Sequence, residues 1–150
     1  MIYLSNGPKE TEKLAGFLFG KFFKKHSKKS LVIALEGELG AGKTVFVKGL
    51  ARALKIKSKI KSPTFNLIKV YKIPATYHLL HTTHYLYHLD CYRLRDHRDL
   101  KVMGIKEILN DPKNIVLIEW SDRVKKILPK NHIKVHIDHV SKKERKITIK

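Results

Sequence analysis

Gly37-Glu38-Leu39-Gly40-Ala41-Gly42-Lys43-Thr44 fits G-x-x-x-x-G-K-[ST] at every fixed position, the pattern of a phosphate-binding loop. A chain of average composition would match that pattern by chance roughly once in two hundred sequences. The flanks decide the matter. Leu31-Val32-Ile33-Ala34-Leu35 is an apolar run of the kind that forms a buried parallel strand. Val45 to Leu54 carries Val47, Leu50, Ala51 and Leu54 on one helical face. Strand, glycine loop and helix in that order predict a nucleoside triphosphate site: loop amides and the positive helix end cradle phosphate oxygens. Lys43 neutralises β- and γ-phosphate charge, and the Thr44 hydroxyl ligates Mg²⁺.

Working outward, Met1 to Leu4 reads as a short strand. Pro8 suits the first turn of a helix with Asn6 or Gly7 as cap, and Leu14, Phe17, Leu18 and Phe22 recur at helical spacing to about Lys25. Pro63 breaks the chain at Ser62-Pro63-Thr64-Phe65. Asn66 to Tyr71 and Tyr85 to Asp90 read as strands, and Pro74 argues against a central strand at that point. Asp96 is a candidate cap for a helix over His97 to Met103, ended by Gly104, with another turn near Glu107. Ile115 to Ile118 is a second buried strand, and Ser121 is the expected cap of a helix that Pro129 stops. His132 to Val140 and Arg145 to Ile149 alternate and predict a terminal hairpin across Ser141 to Glu144. This order predicts one α/β domain over 1–150, a P-loop NTPase-like three-layer sandwich with a central mixed, mainly parallel sheet and a C-terminal β-hairpin.

Composition bounds the remaining choices. The chain has 150 residues, 43% of them hydrophobic, enough for a core of its own. No apolar run approaches the roughly 20 residues that span a bilayer. The single cysteine, Cys91, excludes an internal disulfide framework and points to a reducing cytoplasm; it reads as a small buried residue rather than a nucleophile. The formal charge of +19 favours polyanions. Its lysines and arginines are spread over Lys21 to Lys29, Lys48 to Lys61, Arg93 to Arg98, Lys125 to Lys130 and Lys142 to Lys150, so charge alone picks out no one surface.

Magnesium at such a loop needs a carboxylate at the end of a neighbouring strand. Glu119 closes Ile115 to Ile118 and Asp90 closes Tyr85 to Leu89. Glu119 has the cleaner strand and is the favoured metal-side acid, leaving Asp90 to orient a water or a mobile loop. Ser62 and Thr64 lie where nucleotide-sensing switch segments occur. Trp120, by composition, is expected in the core. His78, His81, His84 and His88 would share a face on a helix and suit zinc, but the tyrosines among them favour extended structure.

Four signatures, Gly37 to Thr44, Ser62-Pro63-Thr64-Phe65-Asn66-Leu67, His88-Leu89-Asp90-Cys91-Tyr92-Arg93-Leu94 and Ile118-Glu119-Trp120, resemble in identity and order those of the TsaE (YjeE) family of tRNA threonylcarbamoyladenosine biosynthesis ATPases. The resemblance implies a small P-loop ATPase that binds ATP and Mg²⁺ and acts with the transferase TsaD and its paralogue TsaB. In that family, hydrolysis resets the assembly rather than performing the transfer. By match, Lys43 and the loop (Glu38, Leu39, Gly40, Ala41, Gly42) hold phosphates, Thr44 and Glu119 form the magnesium side, Asp90 acts near the γ-phosphate, and Ser62 to Phe65 is switch-like. Thr11 resembles a nucleotide contact near the base or ribose. The chain departs from the family in three places: a longer His- and Tyr-rich stretch over Lys72 to His84, Cys91 where leucine is usual, and Ser121 in place of proline or alanine. A small-molecule kinase fits the loop too, but no arginine-rich lid segment is evident. A basic nucleic-acid-binding module with ATP secondary follows from the charge, and contact with tRNA through the basic surface is compatible with the ATPase. A GTPase is disfavoured because no Asn-Lys-x-Asp element occurs.

Overall fold

The computed structural model describes residues 1–23, 30–63, 65–75, 84–95 and 97–150. The decisive stretch folds as its pattern requires. Strand β2 (Leu31–Glu36) is buried along its whole length, and a loop leads from it into helix α2, with Phe46, Val47, Leu50 and Ala51 inward. β2 is central because it has parallel partners on both sides, β5 (Asn114–Glu119) and β6 (Ile133–His139). A strand buried on both faces must be apolar throughout, which is what both continuous runs encode.

Among the described residues seven strands form one sheet in the order β1-β7-β6-β2-β5-β4-β3. β4 (His84–Asp90) pairs parallel with β5, and β3 (Ile68–Ile73) runs antiparallel at one edge. At the other edge β7 (Arg145–Ile149) forms the hairpin with β6 and pairs antiparallel with β1 (Ile2–Ser5), so the first strand lies against the last, Ile2 opposite Thr148. The architecture is the expected mixed, mainly parallel α/β sandwich.

One face of the sheet is covered by α1 (Pro8–Phe23) and α2 (Lys43–Ala53) over Leu35, Leu86, Leu117, Val135 and Ile147. The helices meet closely: a Cβ on Gly49 would lie 2.5 Å from the Cα and 2.7 Å from the carbonyl carbon of Glu12. The other face packs Val32, Leu89, Val116 and Ile118 under α3 (Arg98–Val102), α4 (Ile105–Asn110) and a 3₁₀ helix (Ser121–Ile127).

Several sequence expectations change. The buried stripe of α1 is Thr11, Ala15, Leu18, Phe19 and Phe22, and Phe17 is 58% exposed, because the helix turns its small residues towards α2. β3 begins at Ile68 rather than Asn66. The carbonyl of Pro63 accepts from the amides of Asn66 and Leu67, and Leu67 has φ 62°, a turn that must finish before a strand can start. Ser121 is not a cap. The cap position is Trp120, with φ 57° and ψ 42°, and the buried Ser121 hydroxyl points instead to the Leu35 carbonyl at 3.4 Å. The left-handed turn at Trp120 replaces the extended cap conformation, and the helix that follows is 3₁₀. Asp96, Thr64, His78 and His81 lie outside the described residues.

Candidate functional site

The loop begins with a glycine that nothing larger could replace. Gly37 has φ 136°, and a Cβ there would collide with the main-chain oxygen of Ile137. Gly42 has φ 109° and ψ 17° and caps α2, and among the described residues nothing beyond its chain neighbours comes within 4 Å of where a Cβ would stand, so its surface is open to a ligand. The loop is also braced from outside: Arg145 Nε donates to the Ala41 carbonyl at 3.2 Å, and the Arg145 guanidinium donates to Ser141 and Glu144 carbonyls.

Lys43 is only 4% exposed. Its ammonium donates to the carbonyls of Gly37 at 2.7 Å and Glu38 at 2.8 Å, and lies 3.9 Å from the centre of the Trp120 ring. Burial lowers its pKa from the ordinary lysine value, partly opposed by the negative charges of Glu119, Asp90 and Asp122. The Thr44 hydroxyl contacts both oxygens of Glu119, at 2.9 and 3.0 Å. Those residues are 75 apart in sequence, and the parallel pairing of β2 with β5 joins them. Asp90 lies beside Glu119 in the β4–β5 register. Its carboxylate accepts from the Ser62 hydroxyl at 2.5 Å and the Tyr92 amide at 3.0 Å. Both acids are nearly fully buried.

Leu39, Lys43, Thr44, Asp90, Glu119 and Trp120 therefore line one cleft of about 420 Å³. Across the loop a second cleft of about 340 Å³ is lined by Asn6, Thr11, Gly40, Ala41, Lys143 and Arg145. Thr11 forms its floor: it is 2% exposed and its hydroxyl shares a hydrogen bond of 2.8 Å with Ser5. Ala41 is fully buried, its amide donating to the Glu38 carbonyl at 3.2 Å and its carbonyl accepting from Arg145, whereas Leu39 is 73% exposed. A larger groove of about 780 Å³, lined by Ile105, Leu109, Ile127 and Pro129 among others, holds none of the predicted residues.

Two contributors escaped the sequence. Trp120 is not simply core: its half-buried ring carries Lys43 on its face and meets the Tyr92 ring at 4.9 Å, with the Arg123 guanidinium 5.8 Å away. His88 is fully buried, with Nε2 2.7 Å from Glu119 Oε1. Its spacing from Asp90, two residues along a strand, was the available signal. Cys91 is fully buried, its thiol pushed up to about 12 by burial and by neighbouring carboxylates, and so it is no nucleophile. Among the described residues no group of three or more His, Cys, Asp or Glu side chains could hold a metal ion. The donors beside the loop are a hydroxyl and a carboxylate, hard oxygens that fit magnesium completed by phosphate and water rather than a protein-only cage.

Comparison with known proteins agrees with this geometry. The family model described as threonylcarbamoyl adenosine biosynthesis protein TsaE matches residues 6–147. The tRNA threonylcarbamoyladenosine biosynthesis protein TsaE of Haemophilus influenzae is 38% identical over 126 residues, 81% of this chain and 74% of that protein. Its counterpart in Rickettsia typhi is 34% identical over 146 residues, 97% of this chain and 91% of that protein. The crystal structure of YdiB from Bacillus subtilis is similar with a TM-score of 0.71 at 28% identity, covering 99% of this chain and 83% of that one. The chain belongs to the TsaE family.

Proposed function

We propose that residues 1–150 form a single cytoplasmic P-loop ATPase domain that serves threonylcarbamoyl modification of tRNA adenosine, acting with TsaD and TsaB homologues. The observation that carries the ATPase reading is the Thr44 hydroxyl held on Glu119 beside the phosphate-binding loop. A hydroxyl at the start of α2 and an acid from a distant strand form the two protein sides expected for a nucleotide-bound magnesium.

In this reading the triphosphate lies along the amides of Glu38 to Thr44, with the base and ribose directed towards Thr11. Lys43 leaves the carbonyls of Gly37 and Glu38 and donates to phosphate oxygens. That exchange keeps its hydrogen bonds and adds a counter-charge to a buried ammonium. Thr44 and Glu119 would hold magnesium, which when bound withdraws charge from the phosphate oxygens. Asp90, oriented by Ser62 and the Tyr92 amide, aligns a water in line with the γ-phosphoryl group. The bond from that water to phosphorus forms as the bond to the bridging oxygen breaks, releasing ADP and phosphate. Because Ser62 belongs to the Ser-Pro-Thr-Phe segment, a change in that segment is felt at Asp90, a physical route from nucleotide state to a partner-facing surface. Phe65, 86% exposed beneath the Arg93 guanidinium, belongs to that surface.

The test is hydrolysis of ATP by the purified protein alone and with TsaD and TsaB homologues. Lys43→Ala and Glu119→Ala should each abolish turnover, and ATP should promote co-migration of the three proteins. Unchanged hydrolysis in both variants would refute the assignment. Contact with tRNA through the basic surface is expected to weaken steeply with added salt in a filter-binding assay.

A further inference from the structure

The last pleat of β4 puts His88 and Asp90 on the same side of the sheet, because alternate residues of a strand share a face. Asp90 stands at the mouth of the cleft. His88, one pleat deeper, is 0% exposed. In register it lies beside Leu117, and its ring reaches diagonally across the pair to Glu119. An imidazole at that depth loses all its hydration, which is tolerable only if it is hydrogen-bonded. Among the described residues it makes one bond, from Nε2 to Glu119 Oε1 at 2.7 Å, and Nδ1 meets no partner. Nε2 therefore carries the proton and donates, and Nδ1 is the bare nitrogen, since a buried N–H without an acceptor is the costlier orphan. Glu119 is thus held twice, by Thr44 from the cleft side and by His88 from within the sheet.

We propose that His88 is a positioning residue for the nucleotide's cation. It pins Oε1 of Glu119 so that the rest of the carboxylate and the Thr44 hydroxyl meet a divalent ion in one fixed arrangement. This rests on the assignment of Glu119 as the magnesium-side acid. The ring suits the task, having few torsions to freeze and a single donor aimed at a single oxygen. Hydrogen-bond partners of a metal-binding carboxylate typically alter metal affinity by 10–100-fold when removed.

The experiment uses the full chain, ADP and Mn²⁺ as the paramagnetic probe, with free Mn²⁺ read by electron paramagnetic resonance. Affinity for a fluorescent ADP in EDTA reads the loop without metal. His88→Leu should weaken Mn²⁺ binding about tenfold or more and leave metal-free ADP binding unchanged. His88→Gln, whose side-chain amide places an N–H near the same point, should recover most of the loss. In a Glu119→Ala background, His88→Leu should add nothing further. Unchanged Mn²⁺ affinity in His88→Leu, an equal loss in EDTA, or a full additional loss in the Glu119→Ala background would each overturn the proposal. Should His88→Leu fail to fold, the wild-type chain still decides: long-range ¹⁵N–¹H spectra must show the Nε2-protonated tautomer, and an Nδ1-protonated ring would overturn it. Failure of the underlying assignment looks different, since Glu119→Ala would then keep its Mn²⁺ affinity whatever His88 does.

Discussion

Gly49→Ala tests whether the close contact of α1 with α2 holds the loop's helix in place. In an isolated helix this change would stabilise, by ~1 kcal/mol, because alanine is the better helix former. Here the added Cβ would meet the Cα of Glu12 at 2.5 Å, its carbonyl carbon at 2.7 Å, and its carbonyl oxygen closer still. Carbon atoms pack at about 3.5–4.0 Å, so the helices must separate by roughly 1 Å. All three atoms are main chain and cannot rotate away, which puts the overpacking cost near the upper end of the usual range, ~3 kcal/mol. The net loss is therefore ~2 kcal/mol, a fall in Tm of about 4–8 °C for a chain of this size. Thermal unfolding followed by circular dichroism measures it. Because Lys43 and Thr44 open α2, nucleotide affinity should fall with stability. Gly16→Ala is the internal contrast. Its Cβ would face the Ala53 side chain at 3.3 Å, so its effect should be the smaller. A Gly49→Ala protein that unfolds at or above the wild-type temperature would refute the contact.

Other outcomes follow from the same packing and hydrogen bonds. Arg145→Ala removes the donor to the Ala41 carbonyl and should weaken ADP binding about fivefold by isothermal titration, in line with one hydrogen bond of ~1 kcal/mol; no change would mean that the hairpin does not brace the loop. Cys91, buried and with its thiol raised to about 12, should resist maleimide at neutral pH in the native chain and react at once in denaturant. Burial pushes Glu36 upward, but hydrogen bonds and charge from Lys134 at 2.6 Å, with a further contribution from His136, outweigh it and hold the carboxyl below 4.5. A folded-state pKa below the unfolded value means stability that is full above about pH 4.5 and lost as pH falls through the folded value. Lys134→Met should flatten that acid limb of the urea midpoint against pH, and an unchanged slope would show that the pair contributes nothing.

The parts of the fold that were legible are those where a local pattern and the tertiary need coincide. β2 and β5 are continuous apolar runs because both are covered on two faces, and the glycines of the loop mark dihedrals that their positive φ angles confirm. Lys43, Thr44, Asp90 and Glu119 were readable because strand ends in a parallel sheet converge on one edge. What stayed hidden depends on neighbours that a one-dimensional reading does not contain. His88 looks like one of several histidines until the β4–β5 register puts it under Glu119. Trp120 looks like core because its left-handed backbone, which turns the ring towards Lys43, has no sequence marker in a non-glycine residue. Phe17 matched a helical stripe, yet it is Gly16 and Gly49 that decide which side of α1 faces inward.

The pairing of β1 with β7 has a consequence for synthesis. Residues 2–5 are translated well before residues 145–148, with which they pair, so β1 must wait for the hairpin before it gains this partner. The Ser5–Thr11 floor of the second cleft, which hangs from that strand, cannot close earlier than the hairpin. Completion of that floor is accordingly a late step, and it carries the loop-closure entropy of the long segment between β1 and β7.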